Sequence, residues 1–244
     1  MGGNVTYAEN EIVDFAEAEG VPEWQQNEGR PMNTELYFIA DGIWSTQDEI
    51  DQAEVHHPEA RPGDVRFKDI DGDGDIDADD RRRISENDRP DLIGGLNLGA
   101  SYRNFDLSLQ FQGAAQVRQY VFTGAAGTFG NYFQEFAENR WTPENTDASG
   151  PRAYQRVNPY WASNQNTHFL RDAKYFRLKA AQFSYTVPQN LTQGVGVGNL
   201  QVYLSGRNLF TLTPLEVFDP ELRVGSGQAY PPEQAYTVGL RMGL

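Results

Sequence analysis

From residue 94 onward, apolar and polar positions alternate along the chain with a period of two. Gly94 to Tyr102 turns into Phe105 to Gly113 around Arg103-Asn104, a two-residue turn in which Asn suits the positive φ required. On that register Tyr102 faces Phe105, Ala100 faces Leu107, Leu98 faces Leu109 and Leu96 faces Phe111. The opposite face pairs Ser101 with Asp106, Gly99 with Ser108 and Asn97 with Gln110. One apolar face and one polar face, carried across both arms, is the signature of an antiparallel sheet with a single wet side. Arms of about nine to eleven residues match a tilted strand that crosses a bilayer. The aromatics beside the turn sit where an interfacial girdle would lie.

The alternation returns downstream. Phe176 to Val187 reads as a strand ending at Pro188, and its phase slips near Ala180-Ala181, which predicts a bulge. Leu200, Val202, Leu204, Phe210 and Leu212 share one face of the next strand; Gln201, Tyr203, Ser205, Arg207 and Thr211 share the other. In the last segment Tyr236, Val238, Leu240, Met242 and Leu244 face one way, while Thr237, Gly239, Arg241 and Gly243 face the other. Arg241 therefore falls on the polar face, where a lipid environment does not penalise it. Earlier in the chain the pattern is weaker. Val5-Thr6-Tyr7 and Leu36 to Trp44 read as strands, and Thr46 to Glu54 as a short helix capped by Ser45 or Thr46. Residues 114–174 show little alternation, and a segment so long without strands is usually functional or part of a surface cap.

Composition narrows the fold. The 244 residues suffice for one large domain or two small ones. Mean hydropathy is −0.64, and no run approaches the 18 apolar residues of a membrane-spanning helix. A membrane β-barrel passes that test, because its strands are only half apolar. A net charge of −15 argues against nucleic-acid backbones and anionic surfaces as partners. The absence of cysteine excludes disulfides, thiolate zinc sites and cysteine nucleophiles. His56, His57 and His168 stand in polar loops with no nucleophile–base constellation, so an enzyme is not expected. Met1-Gly2-Gly3-Asn4 leads into a strand without a signal peptide, as in a cytosolic protein or a piece of a longer one.

One loop carries metal chemistry. In Asp69-Ile70-Asp71-Gly72-Asp73-Gly74-Asp75-Ile76-Asp77-Ala78-Asp79-Asp80, oxygen side chains fall at loop positions 1, 3, 5, 9 and 12, with glycine at 6. Alternating carboxylates converge on one ion, and the glycine permits the sharp turn. Asp75, at position 7, would lend its backbone carbonyl. Asp80 stands where an EF-hand has the longer bidentate Glu. The expected ion is calcium, stiffening the loop over residues 69–80, and Arg81-Arg82-Arg83 offsets the local acidity.

Several stretches resemble the C-terminal end of SusC/RagA-type TonB-dependent outer-membrane transporters. They are Ala40-Asp41-Gly42-Ile43, Pro62 to Asp69 running into the acidic loop, Gly95 to Gly99, Phe105-Asp106-Leu107, Arg140 to Asn145 and Arg177-Leu178-Lys179. The strongest match is Ser205 to Thr213. They follow the family's order over residues 35–244. The final Thr237, Gly239, Met242 and Leu244 resemble the signal read by the barrel-assembly machinery, with Leu244 where an aromatic is usual.

The resemblance implies an all-β fold: an antiparallel transmembrane β-barrel of about 22 strands, of which residues 1–244 supply roughly the last seven, with long extracellular loops. It places residues 45–91, 123–174 and 214–232 outside the cell, and implies a plug domain and signal peptide beyond this sequence. It further implies a Gram-negative outer-membrane location and import of oligosaccharides or peptides beneath a SusD-like lipoprotein. Energy would come from the TonB complex through the part not present here. Tyr132, Trp141, Tyr160 and Trp161 are the aromatics expected to meet substrate or lid. A different reading is a secreted, calcium-stabilised β module for adhesion or carbohydrate binding, with its apolar faces packed together in water. A seven-strand part of a wide barrel would instead leave open edges and a greasy outer face, and would not persist as a soluble monomer.

Overall fold

The computed structural model describes residues 1–86, 88–121, 134–153, 165–222, 230 and 232–243. Its main body is one antiparallel sheet of six strands in the order β1-β6-β7-β10-β11-β12. These are β1 (Gly2–Tyr7), β6 (Leu92–Tyr102), β7 (Phe105–Ala115), β10 (Tyr175–Val187), β11 (Asn199–Leu212) and β12 (Ala235–Gly243). The expected register of the central hairpin is observed, from Tyr102 opposite Phe105 to Leu96 opposite Phe111. The turn differs in one respect. Positive φ falls on Arg103 (54°), not on Asn104. Asn104 instead clamps the neighbouring strand end: its Nδ2 donates to the Thr186 carbonyl, and its own carbonyl accepts from the Thr186 amide, both at 2.8 Å.

Cross-strand pairing makes the two faces continuous over the whole sheet. Leu107 lies opposite Phe183, Phe183 opposite Leu204, and Leu204 opposite Val238. The apolar row is exposed along its length, Val238 to 76%. Stacked rings reinforce it near both ends, Phe105 on Phe183 at 5.6 Å and Phe111 on Phe176 at 5.3 Å. The predicted phase slip is a bulge at Lys179, where pairing jumps from Leu178 to Ala180. Facing it, Asn208 takes φ 52° and donates from Nδ2 to the Glu233 carbonyl at 3.0 Å. The Ser205 to Thr213 stretch is thus the strand that absorbs the bulge and returns its apolar residues to their original face.

Leu36 to Trp44 does not join this sheet. It breaks at Ile39 into β2 (Glu35–Phe38) and β3 (Ala40–Ile43), which belong to two small separate sheets. Tyr37 and Phe38 are both buried, which an alternating sheet strand with one wet face would not allow. β2 pairs with β5 (Arg81–Ile84), and β3 with β4 (Val65–Phe67). A third small pair joins β8 (Arg118–Tyr120) to β9 (Leu170–Asp172). The first excursion from the sheet therefore runs over residues 8–91, longer than the pattern suggested.

Antiparallel connectivity puts the excursions 8–91, 116–174 and 213–234 at one end of the sheet. The turn at Arg103-Asn104 and the short helix Gln189–Thr192 in the 188–198 connection lie at the other. Among the described residues, both buried apolar clusters sit among the excursions, and burial of apolar side chains on the sheet is confined to Ala114, Tyr175 and Leu178. Phe38, Val65, Phe67, Ile76 and Phe169 form one cluster; Val117, Val121, Ala173 and Leu215 form a second. A sheet that leaves its apolar face bare while its loops carry the core is the inverse of a soluble sandwich.

Candidate functional site: the loop layer and its inner anchor

Within the first excursion, the Pro62 to Asp69 stretch has a clear physical role. Gly63 turns at φ 85° so that the Trp141 ring and Arg152 can lie directly over it, where any Cβ would collide. Asp64, fully buried, accepts from the Arg61 amide at 3.0 Å and from Arg152 Nε at 2.7 Å. Burial pushes the Asp64 carboxyl up, and Arg152 opposes that rise. Val65 and Phe67 enter the first core cluster, while Arg66 lies over Trp44 at 5.3 Å and pairs with Glu49 at 2.9 Å. Glu49 belongs to α1 (Gln47–Gln52), capped by Thr46, whose Oγ1 accepts from the Glu49 amide at 3.1 Å.

The acidic loop is organised by its own backbone. Gly72 and Gly74 take positive φ (78° and 90°). The Asp69 carboxylate accepts from the Gly72 amide at 2.6 Å and the Gly74 amide at 3.1 Å. Asp71 accepts from Asp73, and Asp73 from Asp75, at 3.1 and 2.9 Å. Asp69, Asp71 and Asp73 bring their carboxylate oxygens within 4.8 Å of one another. Asp77 and Asp80 act as caps instead: Asp80, buried, accepts from the Ile70 amide at 2.6 Å and the Asp77 amide at 2.8 Å. The Asp75 carboxylate accepts from the Ile76 amide at 2.9 Å. The hydrogen bond from the Asp73 amide lowers the Asp71 carboxyl, but lost hydration and the Asp73, Asp80 and Asp69 charges outweigh it and leave Asp71 raised. Ile76 anchors the loop in the core. Outside it, Trp24 Nε1 donates to the Asp79 carbonyl and Gln25 Nε2 to the Ala78 carbonyl, both at 2.8 Å.

Of the four aromatics expected at a substrate or lid surface, Tyr132, Tyr160 and Trp161 lie outside the described residues, as does Leu244 of the terminal signal. Trp141 is half-buried, its Nε1 donating to the Ser45 carbonyl at 3.0 Å, so it joins the 139–153 segment to the first excursion. Thr237, Gly239 and Met242 are on β12, with Thr237 and Gly239 on the polar face and Met242 exposed on the apolar one. Gly239 leaves the space that the Tyr203 ring fills, and Arg241 lies over that ring at 5.9 Å. His168 sits in a 3-10 turn against Phe169; burial, aided by the Arg171 charge, lowers its imidazole to about 4.

Periodicity alone does not reveal the anchor on the polar face. Arg177, 2% exposed, donates Nε to Thr211 Oγ1 at 2.7 Å and pairs with Asp219 and Glu221 of the third excursion, each at 2.5 Å. Lys179 Nζ reaches Glu221 at 2.9 Å, and the Tyr175 hydroxyl donates to it at 3.0 Å. Burial pushes the Glu221 carboxyl up, but Lys179, Arg177 and Tyr175 together hold it below its ordinary value. From the same excursion, Leu215 enters the second core cluster, and the Pro220 carbonyl accepts from buried Gln119 at 3.1 Å. The segment 213–222 is thereby strapped across the polar face.

Known proteins resemble the chain in sequence and in overall shape. The chain is 31% identical to the TonB-dependent receptor P26 of Formosa agariphila over 95% of its own length and 24% of that protein. It is 29% identical to TonB-dependent receptor P3 of the same organism over 74% of its length and 19% of that protein. A solved structure of the RagAB peptide transporter superposes with a TM-score of 0.69 at 25% identity, covering 98% of this chain and 26% of that one. No family model matches. The chain thus spans about a quarter or less of the length of the relatives it matches. With its two-faced sheet, its ordered motifs and these relatives, the chain belongs among SusC/RagA-type TonB-dependent receptors, of which it is a part.

Proposed function

We propose that these strands form part of the wall of an outer-membrane barrel that imports oligosaccharides or peptides with TonB-derived energy. The observation that carries this reading is the exposed apolar face, continuous over six strands and backed by a polar face. Such a surface is stable against lipid and unstable against water, which disfavours the secreted-module alternative. In this reading the excursions face outward beneath a SusD-like lipoprotein, the Arg177 strap lies inside the barrel, and β12 meets the assembly machinery during insertion. The test is uptake by cells carrying the complete receptor, offered labelled oligosaccharides and oligopeptides. Accumulation of one class, abolished by a protonophore, is the expected result. Recovery of the receptor as a soluble protein outside the membrane fraction would refute it.

We further propose that the 69–80 loop holds a structural calcium ion through Asp69, Asp71 and Asp73 and the Asp75 carbonyl. Support comes from the convergence of three carboxylates and the like-charge repulsion at Asp71, which a divalent cation would relieve. Asp77 and Asp80 shape the loop in this scheme. Adding calcium to the complete receptor is expected to slow amide exchange across residues 69–84, with a midpoint of roughly 0.1–1 mM. Asp73→Asn is expected to weaken that midpoint about tenfold or more. Identical exchange with calcium and with chelator would sink the proposal.

A further inference from the structure

A dent interrupts the apolar face of the sheet. Gly94 and Gly113 are directly opposed on that face, so a side chain is missing from both members of a cross-strand pair. Around the gap, Val5, Leu92, Leu96, Ala115 and Phe176 raise the walls of an almost wholly apolar groove of about 330 Å³. An engineered core cavity of about 150 Å³ already holds a benzene molecule, so the groove has room for a longer hydrocarbon. The two glycines differ in what they permit. A Cβ on Gly113 would lie 2.9 Å from the Tyr175 carbonyl and 3.3 Å from the Phe176 ring, so close strand approach requires glycine there. A Cβ on Gly94 would meet only the Asn4 carbonyl at 3.6 Å and Val5 Cγ2 at 3.8 Å, which are ordinary contacts. Sterics therefore leave Gly94 replaceable, and its lack of a side chain keeps the groove open.

Location narrows the occupant. The groove is continuous with the exposed apolar face, and Leu92 and Ala115 place its upper end where β6 and β7 meet the excursions. A peptide or sugar would bring polar groups that these walls cannot satisfy. We propose that the groove seats one hydrocarbon chain of a membrane lipid, held longer than the lipids along the rest of the wall. This rests on the membrane reading above and adds a specific site to it.

The experiment uses the complete receptor in nanodiscs whose lipids carry a nitroxide on the acyl chain. A bimane fluorophore is attached to a cysteine replacing Leu98, beside the groove on the same face, or Leu204, on the open face. Excess unlabelled lipid is then supplied and recovery from quenching is followed. Recovery at Leu98 several-fold slower than at Leu204 is expected, and Gly94→Leu, which fills the groove, is expected to abolish the difference. Ala115→Leu fills it from the opposite wall and guards against misfolding of the first variant. Equal recovery at both positions, or a delay that survives both fillings, overturns the lipid seat while leaving the membrane reading intact. Absence of quenching at Leu204 as well overturns both.

Discussion

Arg177→Met in the complete receptor is expected to release the 213–222 strap from the sheet. The guanidinium is buried between Asp219 and Glu221, and its removal leaves two carboxylates largely desolvated with only Lys179 to balance them. Breaking a buried pair from one side costs about 3–5 kcal/mol, and Lys179 keeps the figure toward the lower end. The loss is local: protease cleavage and amide exchange within residues 213–222 are expected to accelerate while the six strands keep their protection. Adding Glu221→Gln to Arg177→Met should recover part of the loss, because the orphaned charge disappears. The Glu221 pKa is lowered in the folded state, so its contribution is complete above its ordinary value of 4.5 and is lost as pH falls below it. Unchanged protection of 213–222 in Arg177→Met would show that Leu215 packing and the Gln119, Lys179 and Tyr175 contacts hold the strap without it.

Leu204→Arg tests the faces of the sheet. Leu204 is mid-strand, half exposed, and lies between Phe183 and Val238 on the apolar face. A guanidinium near the bilayer midplane costs about 2–4 kcal/mol, enough to deplete the folded receptor in the outer membrane. Ser205→Arg, one residue on, turns toward the polar face and should cost less than about 1 kcal/mol. Heat-modifiable migration and urea midpoints in detergent or liposomes report the difference. Equal losses at both positions would mean that the two sides do not face different solvents.

The motifs that carried the family resemblance differ in how far their roles could be read. The apolar face needed only a period of two, and its register followed from Arg103-Asn104. The acidic loop was legible as a spacing, yet its division of labour was not: Asp80 is spent on the Ile70 and Asp77 amides, and only Asp69, Asp71 and Asp73 converge. That division depends on which amides the folded turn leaves unpaired. Leu36 to Trp44 reads as one strand because its hydrophobicity alternates locally, but Gly42 at φ 122° and the burial of adjacent Tyr37 and Phe38 belong to a three-dimensional loop layer. Trp141, expected at a substrate or lid surface, lies over Gly63 and donates to the Ser45 carbonyl, contacts that local spacing does not encode.

The sequence by itself determined the two-faced sheet, its hairpin register, the bulge near Ala180 and the family, because these depend on local alternation and on runs of neighbouring residues. Only the tertiary structure decided that the core lies in the excursions, that Arg177 anchors residues 213–222, and that Gly94 and Gly113 open a groove. Each of these joins residues far apart in the chain, Arg177 to Asp219 and Glu221, Asp64 to Arg152, and Val5 and Phe176 to the glycine pair of the hairpin. Pairing across such distances is set by how folded segments meet, and the period of side chains along one strand holds no record of it.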